Sequence, residues 1–271
     1  MPSFSISVWA SAALALLART ALAGHSEYCL DFPLSCSNTT VIPNLCCFNY
    51  PGGELLQTQF WDTDPATGPA NHWTVHGLWP DHCDGTYSQY CDESRQYTNI
   101  SAILLSYGKT ELLSYMETYW KDDGGDDESF WEHEWGKHGT CISTFDPSCY
   151  VDYTPQEEVP DFFQKTVDLF KTLDTYAFLA IAGIFPSTTQ TYTSAQIEKA
   201  LGEFRGGVNA SIQCTGSQLN QVYYHFHVAG SAQDGIYVPT QPDGPSSCPV
   251  EGVQYLPKNL SSTPTPVPGS Y

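Results

Sequence analysis

The sequence predicts an α+β fold: a central antiparallel sheet packed with several helices and stapled by disulfides. Three observations predict it. Strand-like runs occur at "LLQTQFW" (55–61), "HWTVHGLW" (72–79) and "QVYYHFHV" (221–228), rich in the aromatic and β-branched residues that suit a pleated, half-buried surface. Helical stretches lie between them without the regular strand–helix–strand rhythm of a parallel sheet. Ten cysteines, an even number, suit a disulfide framework.

The first 23 residues hold an apolar run from Val8 to Leu17 and end in Ala21-Leu22-Ala23, the pattern of a signal peptide cut before Gly24. Arg19 interrupts the stretch and no Lys or Arg precedes it. No later segment has the roughly 20 apolar residues of a membrane-spanning helix. The expected product is secreted, with a vacuole as the alternative destination and no membrane partner. One catalytic domain is expected over 24–258, followed by a disordered Ser/Thr/Pro-rich tail over 259–271.

The segment from Cys29 to Cys47 reads as Cys-rich loop. In "KTELLSYMETYW", Leu112, Leu113, Met116, Tyr119 and Trp120 share one helical face, an amphipathic helix turned to a core. "KDDGGDD" ends it as a solvated acidic loop that lacks the spacing and terminal Glu of an EF-hand. A second helix is expected near Phe130, carrying "FWEHEWGKHG" and stopping at Gly139, with Trp131 and Trp135 as core anchors. Thr154 to Glu157 offers a capping box with Pro155 at the first helical position. Pro160 restarts that helix, which carries Phe163, Val167 and Phe170. Thr193 to Phe204 forms another. In the last run, Val222, Tyr224, Phe226 and Val228 face inward and leave His225 and His227 toward solvent.

Asp and Glu number 30 against 10 Lys and Arg, a formal charge of −20 at pH 7. Such a charge repels polyanions. However, the charge vanishes near the pI of 4.4, where unperturbed histidines are cationic, so an acid working environment removes the objection. Four Asn-x-Ser/Thr sequons begin at Asn38, Asn99, Asn209 and Asn259, as expected of an exported glycoprotein.

The chemistry concentrates in two places. On the second helix, His133, Glu134, Lys137 and His138 gather into one stripe at 3.6 residues per turn. "HEWGKH" is not a zinc motif, because the position four after His133 is the cation Lys137 and His138 lies about 100° further round. No metal or cofactor is expected. Metal-free RNA cleavage needs a base for the 2′-OH proton, an acid for the leaving 5′ oxygen and a cation for the phosphorane. Two imidazoles and a Lys fill these roles if a second segment brings an opposing imidazole, and "TVHGLWP" offers His76.

Together, "HWTVHGLWPD" and "FWEHEWGKHGTC" resemble the two signature segments of the ribonuclease T2 family of secreted acid ribonucleases, and the cysteines extend the likeness over about residues 29 to 250. The resemblance implies that His138 is the base and His76 the acid. It gives His133 the phosphate, and Glu134 and Lys137 the pentacoordinate intermediate. The product would be a 2′,3′-cyclic phosphate, hydrolysed more slowly to the 3′-phosphate. Trp79, Asp81 and Tyr87 resemble a first base site, with Asp81 able to accept from the exocyclic amine of adenine; Phe130 and Gln59 resemble second-site contacts. Aromatic stacking tolerates every base, so cleavage of single-stranded RNA with low base specificity is expected. Fungal members imply the pairs Cys29–Cys47, Cys36–Cys83, Cys46–Cys149, Cys91–Cys141 and Cys214–Cys248. No obligate protein partner is implied, and a monomer is expected. His72 and His82 match no catalytic position. Two rivals remain: a catalytically silent secreted binding or storage protein of the same fold, and a zinc hydrolase.

Overall fold

A computed structural model describes residues 29, 33–37, 42 and 44–259. The signal-peptide reading, Asn38 and the tail beyond Asn259 lie outside the described residues. Two antiparallel strands, β1 (Glu54–Phe60) and β2 (Thr74–Asp81), form the first two strand-like runs. Then come α1 (Ile100–Ser106), α2 (Thr110–Tyr119), α3 (Asp127–Lys137), α4 (Glu158–Thr172) and α5 (Thr175–Ile181). The short β3 (Thr191–Tyr192) leads to α6 (Ser194–Glu203), β4 (Ser211–Thr215), the long β5 (Gln218–Ala229), β6 (Ile236–Pro239) and β7 (Val253–Gln254).

The sheet runs β2-β1-β5-β7-β3, with β4 and β6 also paired to β5. Every pairing is antiparallel except a short parallel contact between β5 and β7. β2 is therefore an edge strand, open to a helix on its free side. The core lies against the sheet in two clusters. Leu55, Val75 and Leu78 pack with Met116, Trp131, Trp135, Phe162 and Phe163; Val222, Tyr224 and Phe226 pack with Trp61, Trp73, Ile197 and Leu201.

Helix α2 buries Leu112, Leu113 and Met116 as its periodicity requires. The acidic loop turns out to serve the next helix: the Asp126 side chain accepts from the Ser129 N–H and caps α3, and Asp127 and Glu128 occupy its first turn with Lys137 in the last, the charge order a helix dipole favours. Trp131 and Trp135 are buried, and their indole N–H groups donate to the carbonyls of Trp120 and Arg95. Apolar ring and satisfied polar edge together fix the height and rotation of α3.

Two expectations are corrected. The capping box at Thr154 does not form; the carbonyls of Thr154 and Pro155 accept from the Tyr107 hydroxyl, and Gln156 takes a positive φ of 72°. The helix starts at Glu158 instead, and Pro160 sits in its first turn, where a missing N–H removes no intrahelical bond. His225 does not face solvent. The register sets it diagonally across from Glu54, whose carboxylate accepts at 2.7 Å, while its other nitrogen meets the Ser211 hydroxyl at 2.8 Å. That polar set is buried between strands.

All five expected disulfides are present. Cys91–Cys141 ties the turn that follows α3 to the segment beyond Tyr87. Asn99, Asn209 and Asn259 are exposed.

Candidate active site

β1 and β2 pair without interruption until the register shifts between Thr58 and Gln59, where Thr58 faces Gly77 and Gln59 faces Val75. His76 is the extra residue. Such a bulge breaks the strict alternation of a strand and re-aims a side chain, and His76 lands among Phe60, Trp79 and Gln221. Its ring stacks on Phe60 at 3.9 Å and meets the edge of Trp79 at 4.5 Å. Nδ1 lies 3.0 Å from Gln221 Oε1, and Nε2 lies 3.6 Å from Glu134 Oε1.

Glu134 reaches β2 from α3 and has no solvent exposure. Its Oε2 accepts from the Trp79 indole N–H at 2.9 Å, whereas Oε1 has no hydrogen-bond partner. The carboxyl lies on Gly77: a Cβ there would stand 1.9 Å from Oε2. His138 follows directly as the C-cap of α3 and stacks on Trp79 at 4.8 Å with the rings nearly parallel. Its Nε2 is also buried without a partner. His133, one turn earlier and exposed, meets the Tyr90 hydroxyl through Nδ1 at 3.3 Å. The structure thus brings His76, His133, Glu134, Lys137 and His138 together.

Electrostatics here is dominated by burial, which penalises charge. Burial pushes His76 down to about 3 and His138 down to about 2, with the Lys137 ammonium adding to both. Burial lowers His133 as well, and it pushes the Glu134 carboxyl up to about 8. The contact between His76 and Glu134 is therefore one between neutral groups across most of the pH range, not an ion pair. A protonated Glu134 carries an O–H donor that can serve its unpartnered oxygen.

One donor atom each from His133, Glu134 and His138 falls within 4.8 Å of the others. The set does not fit a metal centre well, because Lys137 acts on all three as a fixed positive charge and Trp79 occupies one carboxylate oxygen. A second such set, Glu54, His225 and Asp243, lies beside Asp81.

The base-site expectations divide. Tyr87 is 62% exposed and bridges in sheet-like fashion to Asp81, leaving a free ring next to a carboxyl. Burial, with Asp243 and Glu54 nearby, pushes Asp81 up to about 7. Trp79 is held by Glu134 and His138 and so belongs to the catalytic cluster as much as to a base pocket. Phe130 is half-buried, 5.8 Å from His76 and 6.4 Å from Phe60 by ring centroids. Gln59 is fully buried, and its amide donates to Gln57 Oε1 and the Leu173 carbonyl. It lines a cavity with His72, Trp73, Tyr115 and Asp174, apart from the cluster around His76. His72 packs edge-on against Tyr119, and His82 bonds Thr86 and Ser88. Sequence reasoning missed Gln221, which meets His76 only because β5 lies beside β1, and Tyr223, which bonds Gln221 and packs on Trp79.

The family model described as the Ribonuclease T2 family matches residues 52–234. Ribonuclease T2 of Aspergillus oryzae is 55% identical over 233 residues, covering 86% of this chain and 84% of its own length. Ribonuclease Trv of Hypocrea rufa is 58% identical over 226 residues, covering 83% and 96%. The crystal structure of Actibind, a T2 ribonuclease, superposes with a TM-score of 0.84 at 55% identity, covering 87% of this chain and all of that one.

Proposed function

Because the chain belongs to the ribonuclease T2 family, we propose that it cleaves single-stranded RNA with His138 as general base and His76 as general acid. The chain is an endoribonuclease of that family, and its substrate is RNA. His138 takes the proton of the 2′-OH as that oxygen attacks phosphorus. His76 protonates the 5′ oxygen as the P–O5′ bond breaks, and a 2′,3′-cyclic phosphate is left. Water then reverses the roles and opens the ring to the 3′-phosphate. Lys137 and a protonated Glu134 flank the pentacoordinate phosphorus, the ammonium by charge and the carboxyl by donating a hydrogen bond from Oε1. His133 holds a phosphate oxygen.

The observation that carries this reading is the convergence of two imidazoles from separate elements on one buried carboxyl whose outer oxygen has no partner. The burial shifts also account for an acid optimum. A base titrating near 2 stays neutral in acid, whereas an acid with a lowered pKa holds its proton only there; a bound phosphate raises the acid and widens the window.

Tyr87 and Asp81 form the first base site with the outer edge of Trp79, and Phe130 contributes to the second. Stacking on exposed rings supports low base specificity, with Asp81 as a bias toward adenine. Export, a monomeric state and glycans on exposed Asn99, Asn209 and Asn259 complete the reading. The ten paired cysteines support the export, and among the described residues no helix is long and apolar enough to cross a membrane.

The test is digestion of single-stranded RNA and matched DNA at about pH 4.5 with EDTA present, products resolved by mass. RNA-only cleavage to cyclic phosphates is expected. Loss of activity to the chelator would move the reading to metal hydrolysis, and no cleavage by disulfide-intact protein would move it to a silent binding protein.

A further inference from the structure

A general acid needs its proton on one particular nitrogen, and an imidazole has two. His76 Nε2 faces Glu134, and Nδ1 faces β5, 3.0 Å from Gln221 Oε1. The same oxygen accepts the Tyr223 hydroxyl at 3.0 Å. Two donors on one amide oxygen require that Nδ1 carry hydrogen. The sheet register holds the pair in place: Gln221 is the β5 partner of Phe60, and Phe60 is the ring on which His76 stacks.

We propose that Gln221, braced by Tyr223, is a positioning residue for the acid step, holding His76 in the orientation and tautomer that put the transferable proton on Nε2. The inference rests on His76 being the acid. When the P–O5′ bond breaks, Nε2–H passes its proton to O5′ and leaves the neutral Nδ1–H ring, the form that Gln221 Oε1 accepts. In the hydrolytic step the bare Nε2 takes a proton from water with the ring unmoved.

The choice of an amide has its own consequence. A carboxylate at 221 would hold the ring equally well but would retain the imidazolium. The other charged or titratable groups around His76 are Glu134, Lys137, His133 and His138 from α3 and its cap, and Tyr223 from β5. Replacing Gln221 by Glu places a carboxylate directly on the Nδ1 side.

Two substrates and three variants test this. A dinucleoside monophosphate needs a proton on its leaving oxygen; a nucleoside 3′-nitrophenyl phosphate does not, because nitrophenolate leaves unaided. Gln221→Met is expected to lower kcat on the dinucleotide about 100-fold with KM within about threefold, and to spare the nitrophenyl ester. Gln221→Glu is expected to retain activity and move the alkaline limb of the pH profile up by about one unit. Nitrogen NMR of the wild type is expected to read His76 as the Nδ1–H tautomer. Equal losses on both substrates in Gln221→Met, while His76→Ala spares the ester, would overturn the role of Gln221. So would an unmoved pH profile in Gln221→Glu. Equal losses on both substrates in His76→Ala would instead overturn the acid assignment beneath it.

Discussion

Gly77 has no room for a methyl group. Its missing side chain is the space in which the Glu134 carboxyl lies, with the Trp79 indole 2.9 Å from where a Cβ would stand. Gly77→Ala is therefore expected to displace Glu134, reduce kcat at least about 100-fold and destabilise the fold by about 1 to 3 kcal/mol, checked by kinetics and urea unfolding of the same preparation. His76→Ala and His138→Ala are expected to abolish activity and keep the fold, because neither ring, the one partly exposed and the other buried, is held by a charge pair; more than a few per cent of residual cleavage would contradict their roles. Asp81 carries a stability prediction with a definite sign. Its folded pKa is raised to about 7, so the unfolded chain releases this proton first as pH rises, and wild-type stability falls between about pH 4 and 7. Asp81→Asn removes that loss. Its stability relative to wild type is expected to grow by up to about 1.4 kcal/mol per pH unit across the window, measured as unfolding free energy at four pH values, and its preference for adenine over other homopolymers is expected to fall.

At the scale of elements, the site is an edge strand meeting the end of a helix. β2 supplies His76 from its bulge, and α3 supplies everything from His133 to His138 in its last turn and cap. Three restraints fix that meeting. The Trp131 and Trp135 indoles set the helix, Tyr90 in a left-handed conformation with φ of 51° donates its N–H to the Lys137 carbonyl, and Cys91–Cys141 closes the corner. Replacing Cys91 and Cys141 by Ser is expected to lower stability by about 4 kcal/mol, the entropy of a 50-residue loop, and to lower kcat by loosening His138. Urea midpoints and kinetics below the new transition would check both. Periodicity revealed α2 and α3 because their apolar faces repeat every 3.6 residues. It failed at Thr154, where the Glu157 N–H bonds the Thr154 carbonyl in a turn and Gln156 takes a positive φ that no helix continues.

The whole molecule is an acidic body built to approach an anion. With a formal charge of −20 at pH 7, long-range repulsion opposes RNA, and near the pI of 4.4 it disappears. At pH 7 added salt screens that repulsion, so KM for RNA is expected to fall as ionic strength rises to about 0.15 M, the reverse of a cationic nuclease. Steady-state titrations at pH 4.5 and pH 7 across a salt series would check it, with little or opposite dependence expected at the lower value.

What the sequence alone determined is whatever is written within a few residues: the helical stripe from His133 to His138, the strand bearing His76, the Trp anchors and, through two short motifs each legible by itself, the family. Those features are set by periodicity and residue type, which need no partner. Only the tertiary structure decided what depends on residues far apart in the chain. His76 finds Gln221 across 145 positions, and His225 finds Glu54 across 171; Gln59 is buried because Leu173 and Thr175 fold over it. A strand's alternation says which side chains share a face, but only the neighbouring strands and loops determine whether that face meets water, a carboxylate or the substrate.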